Sequence, residues 1–232
     1  MNVSETSEFL LRGYYRRPAS RLGPKHLVVV FHGLSADATG MIALADHWAA
    51  RLPDAGFIAP NAPCPFDMGP TGFQWFSIQR RTCDSDFARL KDVANSVDQF
   101  LDYALIKLGL DDSKLALVGF SQGGMVALHV GMRRPVTPAA IVCMSGTLVG
   151  FAELPKEIAV TPPILLTHGA ADTVVPVGEM VATKEALESV GVTVQCLIRP
   201  DEGHTFDAQT IDTVGSFLEN LFYSEVIRAG EA

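Results

Sequence analysis

The stretch Leu115-Ala116-Leu117-Val118-Gly119-Phe120-Ser121-Gln122-Gly123-Gly124 decides how the rest of the chain is read. Leu115 to Val118 is a short apolar run of the kind a buried strand shows, and Gln122 to Arg134 has the pattern of an apolar helix. Between them a serine stands on a turn too tight for a Cβ at the neighbouring glycine positions. In such a strand-to-helix turn the backbone is strained and the serine Oγ is pushed above the sheet. The start of the helix then offers free N–H groups to a developing negative charge.

Working outward, the same alternation repeats. Leu27-Val28-Val29-Val30-Phe31 is a continuous apolar run bounded by Gly23-Pro24 and Gly33, which is how a strand buried on both faces reads. Further strands are expected at Gly56 to Ala59, Ala139 to Met144, Ile164 to Thr167 and Val192 to Ile198, with an early antiparallel edge strand over Phe9 to Tyr15. Phe87, Leu90, Val93, Ala94, Val97, Leu101, Ala104 and Leu108 recur at three- and four-residue steps, opened by Asp84-Ser85-Asp86 and closed by Gly109. Other helices are expected at Met41 to Arg51, Gly178 to Val190 and Thr210 to Phe222. Strand–helix alternation predicts an α/β fold with a mostly parallel central sheet and helices on both faces. With no repeat and no linker, residues 1–232 are expected to form one domain.

Composition narrows the function classes. A chain that is 48% hydrophobic and only 19% charged is neither disordered nor fibrous. A net charge of −8 gains nothing from nucleic acid and is repelled by anionic lipid, so neither is the expected partner. No apolar run approaches the ~20 residues needed to span a bilayer. The start, Met1-Asn2-Val3-Ser4-Glu5, has neither a basic nor an apolar signal region, so a cytoplasmic protein is expected. The four cysteines show no zinc spacing. Cys143 and Cys196 lie in apolar runs and are expected to be buried thiols, while Cys64 and Cys83 flank a loop and could pair. The sequence leaves the oligomeric state open, a homodimer included.

A serine hydroxyl needs a base. Of six histidines, His26 lies in a polar lead-in and is expected to be solvated, and His47 and His129 fall within helices. His32 and His168 each end a strand before a glycine. His204 lies in Asp201-Glu202-Gly203-His204-Thr205-Phe206, a loop after the last strand that can hang an imidazole over Ser121. The base needs an acid to orient it. Asp172, just beyond the strand ending at Thr167, is preferred over Asp201 and Glu202, which sit too near His204, and over Glu153. Acyl transfer also needs oxyanion donors. The backbone N–H groups of Gln122 and of Leu34, in His32-Gly33-Leu34-Ser35, are the candidates.

The chain order Ser121, Asp172, His204 is that of the α/β-hydrolases. The sequence further resembles the small serine carboxylesterases of the phospholipase/carboxylesterase group, which includes the acyl-protein thioesterases. The resemblance rests on His32-Gly33-Leu34, Pro60-Asn61-Ala62-Pro63, Gln74-Trp75-Phe76-Ser77-Ile78, Gly119 to Gly124, His168 to Pro176 and Gly203-His204. It implies an α/β-hydrolase fold without a large cap domain, with Ser121, Asp172 and His204 as the triad and Leu34 and Gln122 as oxyanion donors. It implies hydrolysis of carboxylic esters or thioesters without a cofactor or metal. Ser35-Ala36-Asp37 and Arg199-Pro200-Asp201-Glu202 depart from the group's pattern. The loop Asn61 to Arg81 is too rich in aromatic residues for a solvated loop. Its Met68, Phe73 and Trp75 are expected to line the acyl-binding wall. Two other functions fit the same signals: a lysophospholipase, and a non-catalytic binding protein on this fold.

Overall fold

The computed structural model describes residues 3–6, 9–79 and 82–230. Along the chain run β1 (Val3–Glu5), β2 (Gly13–Arg16), β3 (His26–Phe31), α1 (Ala38–Ile42), α2 (Leu44–Trp48), β4 (Ala55–Pro60), β5 (Cys64–Pro65) and β6 (Phe73–Gln74). They are followed by α3 (Cys83–Leu108), β7 (Leu115–Phe120), α4 (Gln122–Gly131), β8 (Ala140–Met144), α5 (Leu154–Glu157), β9 (Ile164–Gly169), α6 (Val177–Ser189), β10 (Val194–Arg199) and α7 (Ala208–Gly230). Among the described residues, one sheet of eight strands has the order β1-β2-β4-β3-β7-β8-β9-β10, and β5 pairs with β6 apart from it. Within the large sheet every pairing from β4 through β3, β7, β8 and β9 to β10 is parallel; β1–β2, β2–β4 and the separate β5–β6 pair are antiparallel.

The continuous apolar run of β3 is explained by two cores. Leu27, Val29 and Phe31 pack with Leu90, Val97 and Leu101 of α3 and with Val126 and Val130 of α4. Val28 and Val30 face the other way, onto Trp48 of α2 and Val214, Phe217 and Leu218 of α7. A strand whose residues alternate between two apolar layers has no polar face to show.

Helix α3 begins at Cys83, because Thr82 rather than the Asp84-Ser85-Asp86 cluster caps it. The Thr82 hydroxyl accepts from Ser85 N–H at 3.1 Å and the Ser85 hydroxyl accepts from Thr82 N–H at 2.9 Å. Gly109, at φ 68°, closes it. The single helix expected over Met41 to Arg51 is two short ones, α1 and α2.

Three expectations need correction. The early strand starts only at Gly13 and is not an edge, because β1 covers it; Phe9 turns inward into the core instead. β10 is an edge strand, paired on one side only among the described residues, and Gln195, Cys196 and Ile198 are exposed, so Cys196 is not a buried thiol. His26 is not solvated: it is buried and stacked on Phe222 at 4.1 Å between centroids, and burial pushes its pKa down to about 4. Cys143 is buried as expected, and burial pushes its thiol up to about 12. Cys64 is an exposed free thiol, while the side chain of Cys83 lies outside the described residues. Among the described residues no helix is long and apolar enough to cross a membrane.

Candidate active site

The C-terminal ends of β7, β9 and β10 meet at one edge of the sheet. Between β7 and α4, Ser121 takes φ 53° and ψ −119°, a left-handed conformation that an L-residue holds only under strain. The turn is locked by Ser121 N–H donating to the Met144 carbonyl at 2.8 Å. Glycine is required at two places: a Cβ on Gly119 would fall on the Gly123 carbonyl, and one on Gly123 would fall on the Phe31 carbonyl.

His204 reaches this turn from the loop after β10. Its Nε2 is 2.9 Å from Ser121 Oγ and its Nδ1 is 2.7 Å from Asp172 Oδ2. Asp172 lies in the loop after β9, its side chain fully buried. The other carboxylate oxygen accepts from Val174 N–H at 2.8 Å and Val175 N–H at 2.9 Å. Burial opposes ionisation of Asp172, but the His204 bond and these two N–H groups outweigh it and hold its pKa below the usual carboxylate value. With Asp172 ionised, His204 Nδ1 carries the proton and Nε2 is left as the acceptor for Ser121.

Sequence reasoning missed the clasp that holds the His204 loop. Arg199 Nε and Nη2 donate to Asp207 Oδ2 at 2.9 and 2.7 Å, and Asp207 Oδ1 caps α7 through Thr210 N–H at 2.8 Å. Burial opposes ionisation of Asp207, yet these bonds hold its pKa down to about 2. The Arg-Pro-Asp-Glu departure from the family pattern was the signal, because its arginine is half of the clasp. Phe120 lies 5.0 Å from the His204 ring and packs edge-on against Phe206. The rival acids are elsewhere: Glu153 pairs with Lys156 and Asp201 is exposed.

The turn after β3 lies against the serine: a Cβ built on Gly33 would stand 3.4 Å from Ser121 Cβ. Among the described residues neither Leu34 N–H nor Gln122 N–H donates to a protein acceptor outside its own element. The first amide of a helix has no intrahelical acceptor. His32, whose ring is fully buried, has Nδ1 at 2.6 Å from the Gly33 carbonyl and Nε2 accepting from Ala62 N–H at 3.0 Å. Burial holds its pKa below the ordinary histidine value. His168 is also buried, with Nε2 at 2.7 Å from the Val175 carbonyl, and supports the acid loop.

The 61–79 segment splits into two kinds of residue. Phe73 is half-buried and Met68 is 58% exposed. Trp75 does not line a pocket: it is 1% exposed, its Nε1 donates to the His32 carbonyl at 2.9 Å, and its ring meets Phe31 edge-on. Its own N–H donates to Gln122 Oε1 at 2.8 Å, while Gln122 Nε2 donates to the Phe76 carbonyl at 2.7 Å. The indole is a strut under the site, because a buried indole and backbone need partners that open solvent would otherwise supply. Phe73 pairs with the turn beside Leu34: Ser35 N–H donates to the Phe73 carbonyl and Phe73 N–H to the Ala36 carbonyl, both at 2.9 Å.

Comparison with known proteins agrees with this architecture. "Esterase YpfH" of Escherichia coli (strain K12) is 28% identical over 211 residues, covering 89% of each chain. "Acyl-protein thioesterase 1" of Saccharomyces cerevisiae is 28% identical over 221 residues, covering 88% of this chain and 94% of that protein. The crystal structure of esterase PE8 superposes with a TM-score of 0.87 at 36% identity, covering 91% of this chain and 99% of that one. The family model described as phospholipase/carboxylesterase matches residues 18–222, a span that takes in Ser121, Asp172 and His204, and the chain belongs to that family.

Proposed function

We propose that this chain is a serine hydrolase that cleaves carboxylic esters or thioesters through an acyl-serine intermediate. The observation that carries the reading is the unbroken relay from Ser121 Oγ through His204 to Asp172. Its supports are the names of the relatives, an esterase and an acyl-protein thioesterase.

In this reading His204 Nε2 takes the Ser121 proton as Oγ attacks the acyl carbon. The tetrahedral oxyanion is held by Leu34 and Gln122 N–H groups, and the charge at the start of α4 favours it. His204 then gives the proton to the leaving alcohol or thiol. It activates water for the second half, which releases the acid and restores Ser121. Asp172 stays ionised throughout, fixing the imidazole tautomer and stabilising the imidazolium. One domain carries the reaction, and no cofactor takes part.

The test is labelling of the full chain with a fluorophosphonate, together with turnover of acyl esters, an acyl-cysteine peptide and a lysophospholipid. Wild type should label once and hydrolyse at least one acyl substrate. Ser121→Ala should lose the label and roughly 10³–10⁶-fold in kcat. A Ser121→Ala protein with near-full activity would overturn the reading.

A further inference from the structure

We infer that His32 is a positioning residue for the oxyanion site: it grips the Gly33 carbonyl and thereby aims the Leu34 N–H at the acyl oxygen. The inference rests on the hydrolase reading above and adds to it a residue outside the Ser121–His204–Asp172 relay.

The argument is one of peptide geometry. The Gly33 carbonyl and the Leu34 N–H belong to a single planar peptide group, in which a trans bond points the two in opposite directions. Whatever fixes the carbonyl fixes the N–H. Left alone, a peptide that follows glycine at the end of a strand is free to rotate, because Gly33 has no Cβ to resist. Here it is held. His32 Nδ1 lies 2.6 Å from the Gly33 carbonyl oxygen. The donor and acceptor roles follow from the other nitrogen: Ala62 N–H points at Nε2 at 3.0 Å, so Nε2 must be bare and Nδ1 must carry the hydrogen.

The ring itself cannot turn away. His32 is 0% exposed, its ring centroid lies 5.3 Å from that of Trp75, and its own carbonyl accepts from Trp75 Nε1. Burial favours the neutral ring that this arrangement needs. The turn beyond is tied down as well, by the exchange of backbone bonds between Ser35–Ala36 and Phe73. Among the described residues Leu34 N–H has no protein acceptor, and the turn that carries it packs against Ser121 at Gly33.

The experiment compares His32→Leu with His32→Asn in the full chain. Leucine loses both bonds. Asparagine places an N–H₂ where Nδ1 stood and keeps the bond to the Gly33 carbonyl, but it is too short to meet Ala62. Both variants should therefore melt at similarly lowered temperatures, while their chemistry diverges. His32→Leu should lose at least ~10-fold in kcat on a short ester with little change in KM, part of the ~10²–10³-fold attached to a lost oxyanion donor. It should lose affinity for an acyl trifluoromethyl ketone, which binds as an oxyanion adduct, by a similar factor. His32→Asn should recover most of both. Nitrogen-15 spectra of wild type should show His32 protonated at Nδ1 alone, a reading that needs no variant to fold. An Nε2–H tautomer, an unchanged kcat in His32→Leu, or Asn and Leu variants falling together in step with their melting temperatures would each overturn the inference. A wild type that turns over no ester would overturn the hydrolase reading beneath it and the inference with it. An active wild type with indifferent His32 variants overturns the inference alone.

Discussion

Trp75 and Gln122, 47 residues apart in sequence, are joined by a 2.8 Å hydrogen bond from the Trp75 N–H to Gln122 Oε1. The same carboxamide donates to the Phe76 carbonyl, so one buried side chain satisfies two backbone groups of the segment beneath the site. Gln122→Leu keeps the bulk and strands both groups. Each buried orphan costs about 1–3 kcal/mol, and in a chain of this size 1 kcal/mol shifts Tm by roughly 2–4 °C. A melt followed by circular dichroism should fall by roughly 5–15 °C. A variant that melts with wild type would show that the segment is held by its apolar contacts and not by Gln122.

Ser121 bears the strain of its own position at φ 53°. Ser121→Ala and Ser121→Gly both remove the Oγ bond to His204, so their difference isolates the backbone. Glycine accepts this conformation freely, while alanine retains strain worth about 1–3 kcal/mol. Ser121→Gly should be the more stable of the two by about 1 kcal/mol in urea denaturation, with both inactive. Equal stabilities would mean that the turn is relaxed in solution.

The elements that were legible in the sequence are those whose apolar pattern was set by a single partner layer or by two equivalent ones. β3 read as doubly buried because it is, and α3 read as one stripe because its Leu90, Val97 and Leu101 face one core. That Ser121, Asp172 and His204 meet could be read from sequence because each follows a strand that was itself legible. What sequence could not yield depended on neighbours remote along the chain. His26 follows a lysine and a proline, yet Phe222 covers it. Cys196 lies in an apolar run, yet among the described residues no further strand covers β10. Trp75 resembles a pocket aromatic until its Nε1 is seen on the His32 carbonyl.

His129 supplies a pH test. It lies buried in α4 against Phe87, with its Nδ1 unpartnered among the described residues. Burial first, and then the Arg133 and Lys91 charges, push its pKa down to about 3, with Glu157 opposing them. Since the unfolded chain titrates near 6.5, it binds more protons than the native state between about pH 6.5 and pH 3. Stability is therefore lost as pH falls through that window. His129→Leu has nothing to protonate there. Going from pH 7.5 to pH 5, its stability relative to wild type should rise by about 2 kcal/mol, read from urea midpoints at the two pH values. The His26 contribution is common to both proteins and cancels. A difference that does not change with pH would show that His129 is hydrated in the native state.

Phe73 and Met68 separate two roles for the segment between β4 and α3. Phe73 is half-buried, and its backbone is paired with the turn that carries Leu34, the expected oxyanion donor. Met68 is 58% exposed and supports no core contact that its loss would empty. An acyl chain that lies along this wall loses up to ~0.8 kcal/mol for each methylene left without an apolar surface, close to fourfold in kcat/KM per methylene. Phe73→Ser should therefore leave acetate esters nearly untouched and penalise octanoate esters progressively. Met68→Ser should act less, and on the longest chains, since an exposed side chain offers an acyl chain less buried apolar surface. The check is a kcat/KM series from acetate to dodecanoate for wild type and both variants. If Phe73→Ser lowers every member by the same factor, the ring supports the oxyanion turn through the Ser35 and Ala36 pairing and does not read the substrate.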